Sequence, residues 1–401
     1  MCAVLLSPLG KTDWREADRG PVMRILVEYA DITTAVLYLS AEMVDENQNT
    51  PFAEYINSEK PGVVCEIVER PELVDVHHFD VFYNDLGAIL GRIHDENPDQ
   101  QIYVNLSSGT PAFKSTLMVL AEISPYQIIP LQVDDPRYSP NDNDLGTVHV
   151  VQTQNFRRLI IVENIKKLVD GYSYIAARSL GEAVLDEEQM QLLDGLVDRY
   201  ELRTGQARIK LGTELIGSTS RIGKAFEYIQ YLCVLKERQE WANYLRATDP
   251  AVISVLLCCI EAYTNYTALD IVVENTITFQ DEYPGDNLLH ELFAGGGYAR
   301  WHPLLTLLHH PEAGQNVPPQ AIPVLNSLYG LQNQRNTYVH NYQVIHAGQA
   351  GRLVEKWDQF FSTLLNGAAE KMHKPIPPWD SYNRLNQYVI THLNRGCAET
   401  T

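Results

Sequence analysis

The sequence has 401 residues and a mass of 45.4 kDa, which is enough for two or three domains that each bury a core. Its formal net charge is −20 at pH 7, whereas proteins that hold duplex DNA by bulk electrostatics carry a basic face. No stretch approaches the roughly 18 uncharged apolar residues of a membrane span, and the first residues lack the features of a secretion signal. We therefore expect a cytoplasmic protein that binds neither membranes nor, stably, duplex DNA.

The six cysteines are scattered along the chain without the paired spacing of a zinc site or a disulfide framework. Reduced cytosolic thiols are the default for such a pattern. We therefore expect no structural metal and no disulfide bond.

The first 150 residues alternate between short apolar runs and amphipathic stretches. The apolar runs predict buried strands at 4–6, 35–39, 63–68, 102–104 and 127–133. The stretches between them predict helices at 22–29, 52–58, 81–94 and 112–123. This alternation predicts βαβ units and a Rossmann-like α/β domain with a parallel sheet. A polar segment at 134–144 predicts a boundary or an exposed loop, and residues 147–152 predict one more strand or a hairpin.

From residue 155 onward the pattern becomes helical, which indicates an all-α second half. Predicted helices cover 156–168, 189–200, 223–245, 252–275, 322–346, 351–371 and 381–393. Residues 200–217 read as a loop or hairpin, and glycines and prolines predict loops over 281–319. We divide the chain into an α/β domain (1–150), a helical linker region (151–222) and a C-terminal helical domain (223–401).

One loop at the end of a predicted strand has the composition of an anion site. In residues 105–111, Thr110 can cap the next helix and Pro111 can occupy its first position. Gly109 allows close backbone approach, and Lys114 adds a cation one turn into the helix. In a doubly wound sheet, ligands bind beyond the carboxyl ends of the strands. An ordinary βα turn with good capping explains the same residues equally well.

A second loop, residues 7–13, follows the first strand and contains Gly10, Lys11 and Thr12. We expect it on the same rim of the sheet as the first loop, because both leave parallel strands at their carboxyl ends. The loop is not a P-loop, since Leu5 stands where the first glycine of that motif must be. Residues 217–225 depart from the P-loop motif as well, which disfavours a nucleoside triphosphatase.

The helical half contains Arg335, Asn336 and His340, a set suited to cleaving RNA through its own 2′-hydroxyl. A histidine can move the proton, and a guanidinium can stabilise charge on the phosphate. No metal is required. Residues five apart lie about 140° apart around an ideal helix, so we expect Arg335 at a helix start or a kink, or a site completed by a partner chain. Alone, the pattern fits a surface arginine and a packed histidine better.

Two further features of the helical half carry weaker expectations. Glu261 is a candidate to support Arg335, with a solvated or capping glutamate as an equal alternative. A basic cluster reads as a solvated helix surface; it comprises Arg199, Arg203, Arg208, Lys210, Arg221 and Lys224.

Taken together, the loop 105–111 and the Arg335–His340 motif resemble the CRISPR-associated CARF–HEPN ribonucleases of type III-A systems, nearest the sixth member of the Csm family. Residues 6–13, the strand over 37–43 and residues 379–386 also resemble that family, so the similarity spans almost the whole chain. The resemblance implies a CARF domain that senses a cyclic oligoadenylate, a helical linker and a HEPN domain that cleaves single-stranded RNA. It also implies a homodimer and no metal cofactor.

The resemblance assigns roles by motif. The catalytic residues would be Arg335, Asn336 and His340. The residues lining the ring site would be Gly10, Lys11, Thr12, Asn105, Ser107, Ser108, Gly109, Thr110 and Lys114. The resemblance favours cyclic hexa-adenylate as the activator, with cyclic tetra-adenylate open. Some members also cut the bound ring, and Thr110 is our choice for that step if it occurs here.

Two other functions remain open at this stage. In one, the chain is a non-catalytic CARF sensor or regulator whose helical half serves dimerisation or partner binding. In the other, it is a constitutive HEPN toxin with a vestigial sensor, which the full set of loop hydroxyls disfavours.

Overall fold

The computed structural model describes residues 2–11, 13, 20–134, 147–152, 154–273, 277–340 and 347–395, with backbone alone at 154–156, 340, 347 and 395. The chain forms two compact units, Met1–Arg158 and Leu159–Thr401. The predicted loop at 134–144 lies outside the described residues except for its first residue. The three-part division of the chain stays a prediction.

The first unit is built on one six-stranded sheet. Its strands are β1 (Ala3–Pro8), β2 (Ile32–Ser40), β3 (Val64–Arg70), β4 (Gln101–Asn105), β5 (Ile128–Val133) and β6 (Val148–Val150). Their order is β3-β2-β1-β4-β5-β6. All neighbours are parallel except β5 and β6, which pair antiparallel. The predicted Rossmann-like fold is confirmed, including the strand within 147–152.

Helices connect the strands of this sheet. They are α1 (Pro21–Glu28), α2 (Ala41–Asn49), α3 (Phe52–Glu59), α4 (Phe79–Glu96) and α5 (Pro111–Ile123). The strand that we read over 37–43 ends at Ser40, and α2 follows it directly. The helix escaped sequence analysis because Met43 and Val44 are its buried residues, too few to mark a helical face.

The central strand β1 is buried along its whole length because helices cover both faces of the sheet. Leu5 packs in a core with Val22 of α1 on one face. Leu6, its neighbour, packs with Phe82 of α4 on the other. Alternate residues of one apolar run therefore belong to different cores, and β1 lies at the centre of the unit.

Helices dominate the described part of the second unit. They are α6 (Gln154–Asp170), which begins before the unit boundary, α7 (Tyr174–Gly181), α8 (Glu187–Tyr200), α9 (Thr204–Leu211), α10 (Arg221–Glu237), α11 (Trp241–Tyr263), α12 (Asn287–Phe293), α13 (Trp301–His309), α14 (Ile322–His340), α15 (Ala347–Met372) and α16 (Ser381–Arg395). A short ladder joins β7 (Thr278–Phe279) to β8 (Gly297–Tyr298). None of the described helices has the length and apolarity to cross a membrane.

Two predicted loop regions contain helices. Residues 200–217 include α9. This helix buries one residue, Ala207, so its sequence lacks the apolar periodicity that marks a helix. Residues 281–319 include α12 and α13. The glycines at 295–297 lie between these two helices and so interrupt neither of them.

The predicted helices 223–245 and 252–275 have the wrong boundaries. The chain turns between α10 and α11 at Gln239, which adopts a left-handed φ of 57°. The helix α11 then continues through Pro250, where we placed a break, and ends at Tyr263 rather than at residue 275. The physical cause is tertiary: Val252, Leu256 and Ile260 anchor α11 in the large core of the unit and outweigh the cost of an internal proline.

One member of the basic cluster, Arg199, is not on a solvated surface, contrary to expectation, whereas Arg203 and Lys224 are exposed. Arg199 is fully buried, and its Nε donates to Oε2 of Glu227 over 2.8 Å. A second bond, 2.7 Å long, joins Arg199 Nη2 to Ser381 Oγ of α16. The buried pair thereby ties α8, in the predicted linker region, to α10 and α16.

Candidate functional site

The first candidate site lies where β1 and β4 meet at the centre of the sheet. Strand order runs outward from this pair in both directions, which makes it the topological switch point at which doubly wound sheets bind ligands. The loops that follow the two strands touch, since Asn105 Nδ2 donates to Ser7 Oγ over 2.9 Å and to Ser108 Oγ over 3.0 Å. The prediction that both loops share one rim is confirmed.

The turn between β4 and α5 has the predicted capping chemistry. Thr110 is the N-cap, its Oγ1 accepts from Phe113 N over 3.4 Å, and Pro111 opens the helix. Gly109 has a φ of +80°, and a Cβ there would lie 2.9 Å from Cγ of Pro8. Glycine is required because both the dihedral angle and the packing of the two loops exclude a side chain.

A cavity of about 380 Å³ opens above this rim. Predicted residues that line it are Gly10, Lys11, Ser107, Gly109, Thr110 and Lys114. Asn105 and Ser108 are buried beneath it and hold the loops together rather than lining the space. Thr12 lies outside the described residues.

The cavity has two cationic groups, Lys11 and Lys114, and each already binds an oxygen atom of the protein. Lys11 Nζ lies 2.5 Å from Oε1 of Glu42, and Lys114 Nζ donates to Ser107 O over 2.8 Å. Burial lowers the pKa of Lys114 because it disfavours the charged amine. An anionic ligand would therefore replace an existing ion pair rather than meet free charges.

Asp13 is a buried carboxyl group that sequence analysis missed. It accepts from Gly10 N over 2.9 Å, Ser108 Oγ over 3.2 Å and Val22 N over 3.4 Å. Burial raises the pKa of Asp13 from 3.8 to about 6, and these hydrogen bonds oppose the rise. An aspartate three residues after Gly10 in a βα loop was the available signal.

Tyr38 is a second lining residue that we missed. Its hydroxyl donates to Asp85 Oδ2 over 2.8 Å, and Arg70 Nη2 lies 2.7 Å from Asp85 Oδ1. Burial, followed by the bond to Asp85, raises the pKa of Tyr38 well above its usual value. The phenol therefore stays neutral and presents an aromatic wall to the cavity.

The second candidate site lies in the helical unit, on α14. Arg335 and Asn336 lie inside this helix, and His340 is its last residue. The expectation that Arg335 marks a helix start is wrong. The side chain of His340 lies outside what the structure describes.

The guanidinium of Arg335 is buried, with 6% of the residue exposed. Nε donates to Leu245 O over 2.9 Å and Nη2 to Arg246 O over 3.4 Å. Nη2 also lies 2.9 Å from Oδ2 of Asp249, and Nη1 donates to Oδ1 of the exposed Asn336 over 3.0 Å. These partners hold the side chain in one orientation.

Pro250 explains why α11 offers one of these acceptors. It lacks the N–H that would bond to the carbonyl of Arg246 four residues earlier. The freed carbonyl accepts from Arg335 instead. Asp249, next to the proline, also accepts from Gln332 Nε2 over 3.1 Å. The helix α11 therefore contacts α14 at Gln332 and at Arg335, which are about one helical turn apart.

Glu261 does not support Arg335, contrary to one expectation. Its Oε1 lies 3.1 Å from Nε of Arg221 and accepts from Ala268 N over 3.3 Å. Asp249 occupies the role that we considered for Glu261. Among the described residues, no group of three or more His, Cys, Asp or Glu is placed to hold a metal ion.

Comparisons with known proteins show similarity of sequence and of fold. Residues 64–157 match the family described as Cas_Csm6 CARF domain. The CRISPR system endoribonuclease Csm6 of Mycobacterium tuberculosis is 28% identical over 284 residues, which cover 64% of this chain and 68% of that protein. The CRISPR system endoribonuclease Csm6′ of Streptococcus thermophilus is 25% identical over 412 aligned positions, covering 98% of this chain and all (100%) of that protein.

A solved structure has the same fold along the whole chain. It is Enterococcus italicus Csm6 bound to cyclic hexa-2′-fluoro-hexa-dAMP, with a TM-score of 0.71 and 20% identity. The match covers 98% of this chain and 100% of that one. The resemblance that the sequence motifs indicated is confirmed.

Proposed function

We propose, since this chain is a relative of the Csm6 endoribonucleases and carries their CARF domain, that it cleaves single-stranded RNA when a cyclic oligoadenylate binds. The observation that carries the proposal is the similarity to a named endoribonuclease over 98% of the chain. The paired loops at the switch point of the sheet support a sensor in the first unit. The type III CRISPR defence role of the family would then apply to this protein.

The cavity beside Thr110 supports a ring shared between two copies of the chain. Its volume of about 380 Å³ is too small to enclose a ring of four or six nucleotides. A second copy would supply the other half, so we propose a homodimer with one ring per two chains. The cyclic hexanucleotide in the Enterococcus italicus structure favours cyclic hexa-adenylate over the tetra-adenylate.

The proposed reaction uses the RNA as its own nucleophile. The 2′-hydroxyl attacks the adjacent phosphorus, the bond to the 5′-oxygen breaks, and the products are a 2′,3′-cyclic phosphate and a 5′-hydroxyl. His340 would take the proton of the attacking hydroxyl or give one to the leaving oxygen. Arg335 would stabilise the charge on the phosphate, and Asn336 would orient the substrate. These steps need no metal ion.

The contacts of Arg335 define how it would act. A guanidinium has five N–H donors, and four of them are taken by Leu245, Arg246, Asp249 and Asn336. One N–H of Nη1 is left without a described partner. We therefore propose that Arg335 donates a single bond from a fixed position, with the second copy's arginine completing the site.

Thr110 is our choice for cutting the bound ring, if this chain limits its own activation. Its hydroxyl donates to Val76 O over 2.7 Å, and it would have to leave that carbonyl to reach a phosphate.

We also propose a cytoplasmic location and the division into a CARF domain (1–150), a linker region (151–222) and a HEPN domain (223–401).

The test is cleavage of a fluorescent single-stranded RNA by the full chain, with cyclic hexa-adenylate, cyclic tetra-adenylate or the linear hexamer. We expect cleavage with a cyclic activator in the presence of EDTA, and none by His340→Ala. His309→Ala, at an exposed histidine of α13, is the matched control and should cleave normally. Wild-type rates from His340→Ala would contradict the site, and loss of activity in EDTA would contradict a metal-independent reaction.

The burial of Arg335 favours a second candidate function. A buried arginine that caps backbone carbonyls is also what a purely structural residue looks like. The chain would then be a non-catalytic sensor whose helical half dimerises or binds a partner. Ring binding by both wild type and His340→Ala, with no RNA cleavage by either, would establish that alternative.

A further inference from the structure

The helical unit contains a cavity that the proposed reaction does not use. It has a volume of about 850 Å³, within the range of about 300–1,000 Å³ that is typical of ligand sites. Residues of α9, α10 and α11 line it, together with the segment that follows α15 and the apolar Leu269, Val273 and Ile277. Its basic lining residues are Arg203, Arg221, Lys224 and Lys374.

Among the residues described around this cavity, the charges do not cancel. Its two lining carboxylates are neutralised, because Glu227 pairs with the buried Arg199 and Glu261 pairs with Arg221. Lys224 is exposed and forms no ion pair with any residue that the structure describes. The same holds for Lys374 within the described ranges. Because Arg203 pairs with Asp198 and Glu201, the cavity's uncompensated cations among the described residues are Lys224 and Lys374.

The serine-rich segment 217–225 forms part of the wall. A Cβ on Gly217 or Gly223 would collide with backbone of the facing residues, so these glycines permit the close packing of the loop on α10. The exposed Thr219 lines the cavity. The resemblance to a P-loop thus has a packing cause, and the segment adds a hydroxyl to a basic cavity.

The helix α11 carries both acceptors of Arg335 and residues that line the cavity. Asp249 and the lining residue Ser254 are five positions apart on α11, which is about 7.5 Å along the helix axis and about 140° around it. Burial raises the pKa of the lining residue Tyr228, and the negative charge of Asp249 adds a smaller contribution. Tyr228 also supplies an aromatic face, on which a nucleotide base can stack.

We propose that this cavity is a subsite for single-stranded RNA, in which Lys224 and Lys374 contact phosphates of nucleotides outside the scissile position. The ligand class follows from the combination of cations, hydroxyl and aromatic ring in one open space. A strand that runs from Arg335 along α11 would reach it within a few nucleotides. This inference rests on the proposed ribonuclease function and specifies where the substrate lies.

The test measures binding of a labelled 2′-O-methyl oligoribonucleotide to the full chain by fluorescence anisotropy, with saturating cyclic hexa-adenylate. This probe keeps every phosphate but lacks the attacking hydroxyl, so it is not cleaved. Lys224→Gln and Lys374→Gln should each weaken binding roughly fivefold at low salt. Each should also lower the slope of log affinity against log salt by about 0.7, the contribution of one phosphate on a single strand. The matched control is Lys356→Gln, an exposed lysine of α15 outside the cavity, which should change neither quantity.

The outcomes separate this inference from the proposed function. If the wild type cleaves RNA but both cavity variants bind the probe with unchanged affinity and salt slope, the subsite is wrong and the ribonuclease stands. If Lys224→Gln abolishes binding of inorganic phosphate or AMP while leaving the RNA probe unaffected, the cavity is a small-anion site and the inference is overturned. If the wild type neither binds the probe nor cleaves RNA, the ribonuclease itself fails.

Discussion

At the residue scale, Asp13 makes the first unit sensitive to pH. Burial raises the pKa of this carboxyl from 3.8 to about 6, so the folded chain binds a proton more tightly than the unfolded chain. The free energy of unfolding should therefore fall as pH rises between about 4 and about 6, by roughly 3 kcal/mol from this group. Asp13→Asn should lose that component.

The measurement is denaturant unfolding of wild type and Asp13→Asn at a series of pH values. As pH rises from about 4 to about 6, the unfolding free energy of wild type should fall relative to that of Asp13→Asn, and the difference should stay constant at higher pH. Asp45→Asn, at an exposed aspartate of α2, is the control. A parallel pH dependence of wild type and Asp13→Asn would mean that Asp13 does not titrate as its surroundings indicate.

The position of Asp249 suggests that it orients Arg335, since it binds that guanidinium and Gln332 at once. Asp249→Ala should lower the rate of RNA cleavage roughly 100-fold, because a displaced transition-state group costs about this much. Asp249→Asn keeps one acceptor oxygen for Arg335, so its cleavage rate should fall less than that of Asp249→Ala. Ring affinity should be unchanged in both, as should cleavage by the control Glu355→Gln at an exposed position. Equal rates for wild type and Asp249→Ala would remove Asp249 from the site.

At the element scale, the Arg199–Glu227 pair holds three helices together. Arg199 of α8 meets Glu227 of α10 and Ser381 of α16 without solvent contact. Arg199→Ala leaves a buried carboxylate unpaired, and should lower the free energy of unfolding of the helical unit by about 3–5 kcal/mol. Thermal and urea unfolding test this, with Arg178→Ala at an exposed ion pair as a control that changes little. A small effect from Arg199→Ala would show that the pair is not a structural tie.

Element type could be predicted from periodicity, whereas several boundaries could not. The strand that contains Leu5 is a continuous apolar run because it is buried on both faces. The helix α9 shows no apolar periodicity, since Ala207 is the one residue that it buries. Pro250 reads as a break in the sequence, but the packing of α11 keeps the helix continuous around it.

At the scale of the whole molecule, the proposed dimer has a stoichiometry that can be measured. One cavity of about 380 Å³ is smaller than a ring of six nucleotides, and the proposed dimer therefore places one ring against two chains. Isothermal titration of cyclic hexa-adenylate should end at 0.5 ring per chain, and sedimentation should give a dimer. One ring per chain on a monomer would contradict the shared site.

The candidate sites were predictable to different degrees. The hydroxyls and glycine of the loop after β4 indicated an anion site, because strand–turn–helix chemistry is local and appears in consecutive residues, and the family resemblance implied that the anion is a nucleotide ring. Asp13 and Asp249 escaped prediction because each acts through partners distant in sequence. Asp13 meets Ser108, and Asp249 meets Arg335.

The order of apolar and polar residues determined the parallel sheet and the helical second half, and short motifs carried the capped turn at Thr110 and the family resemblance. These depend on periodicities and short motifs, which neighbouring residues specify through local geometry. Tertiary structure alone decided that Arg335 is buried against α11, that Arg199 is a core residue and that four basic side chains share one cavity. A contact between distant segments depends on how whole elements pack, and a side chain's charge or burial is set there rather than by its neighbours in the chain.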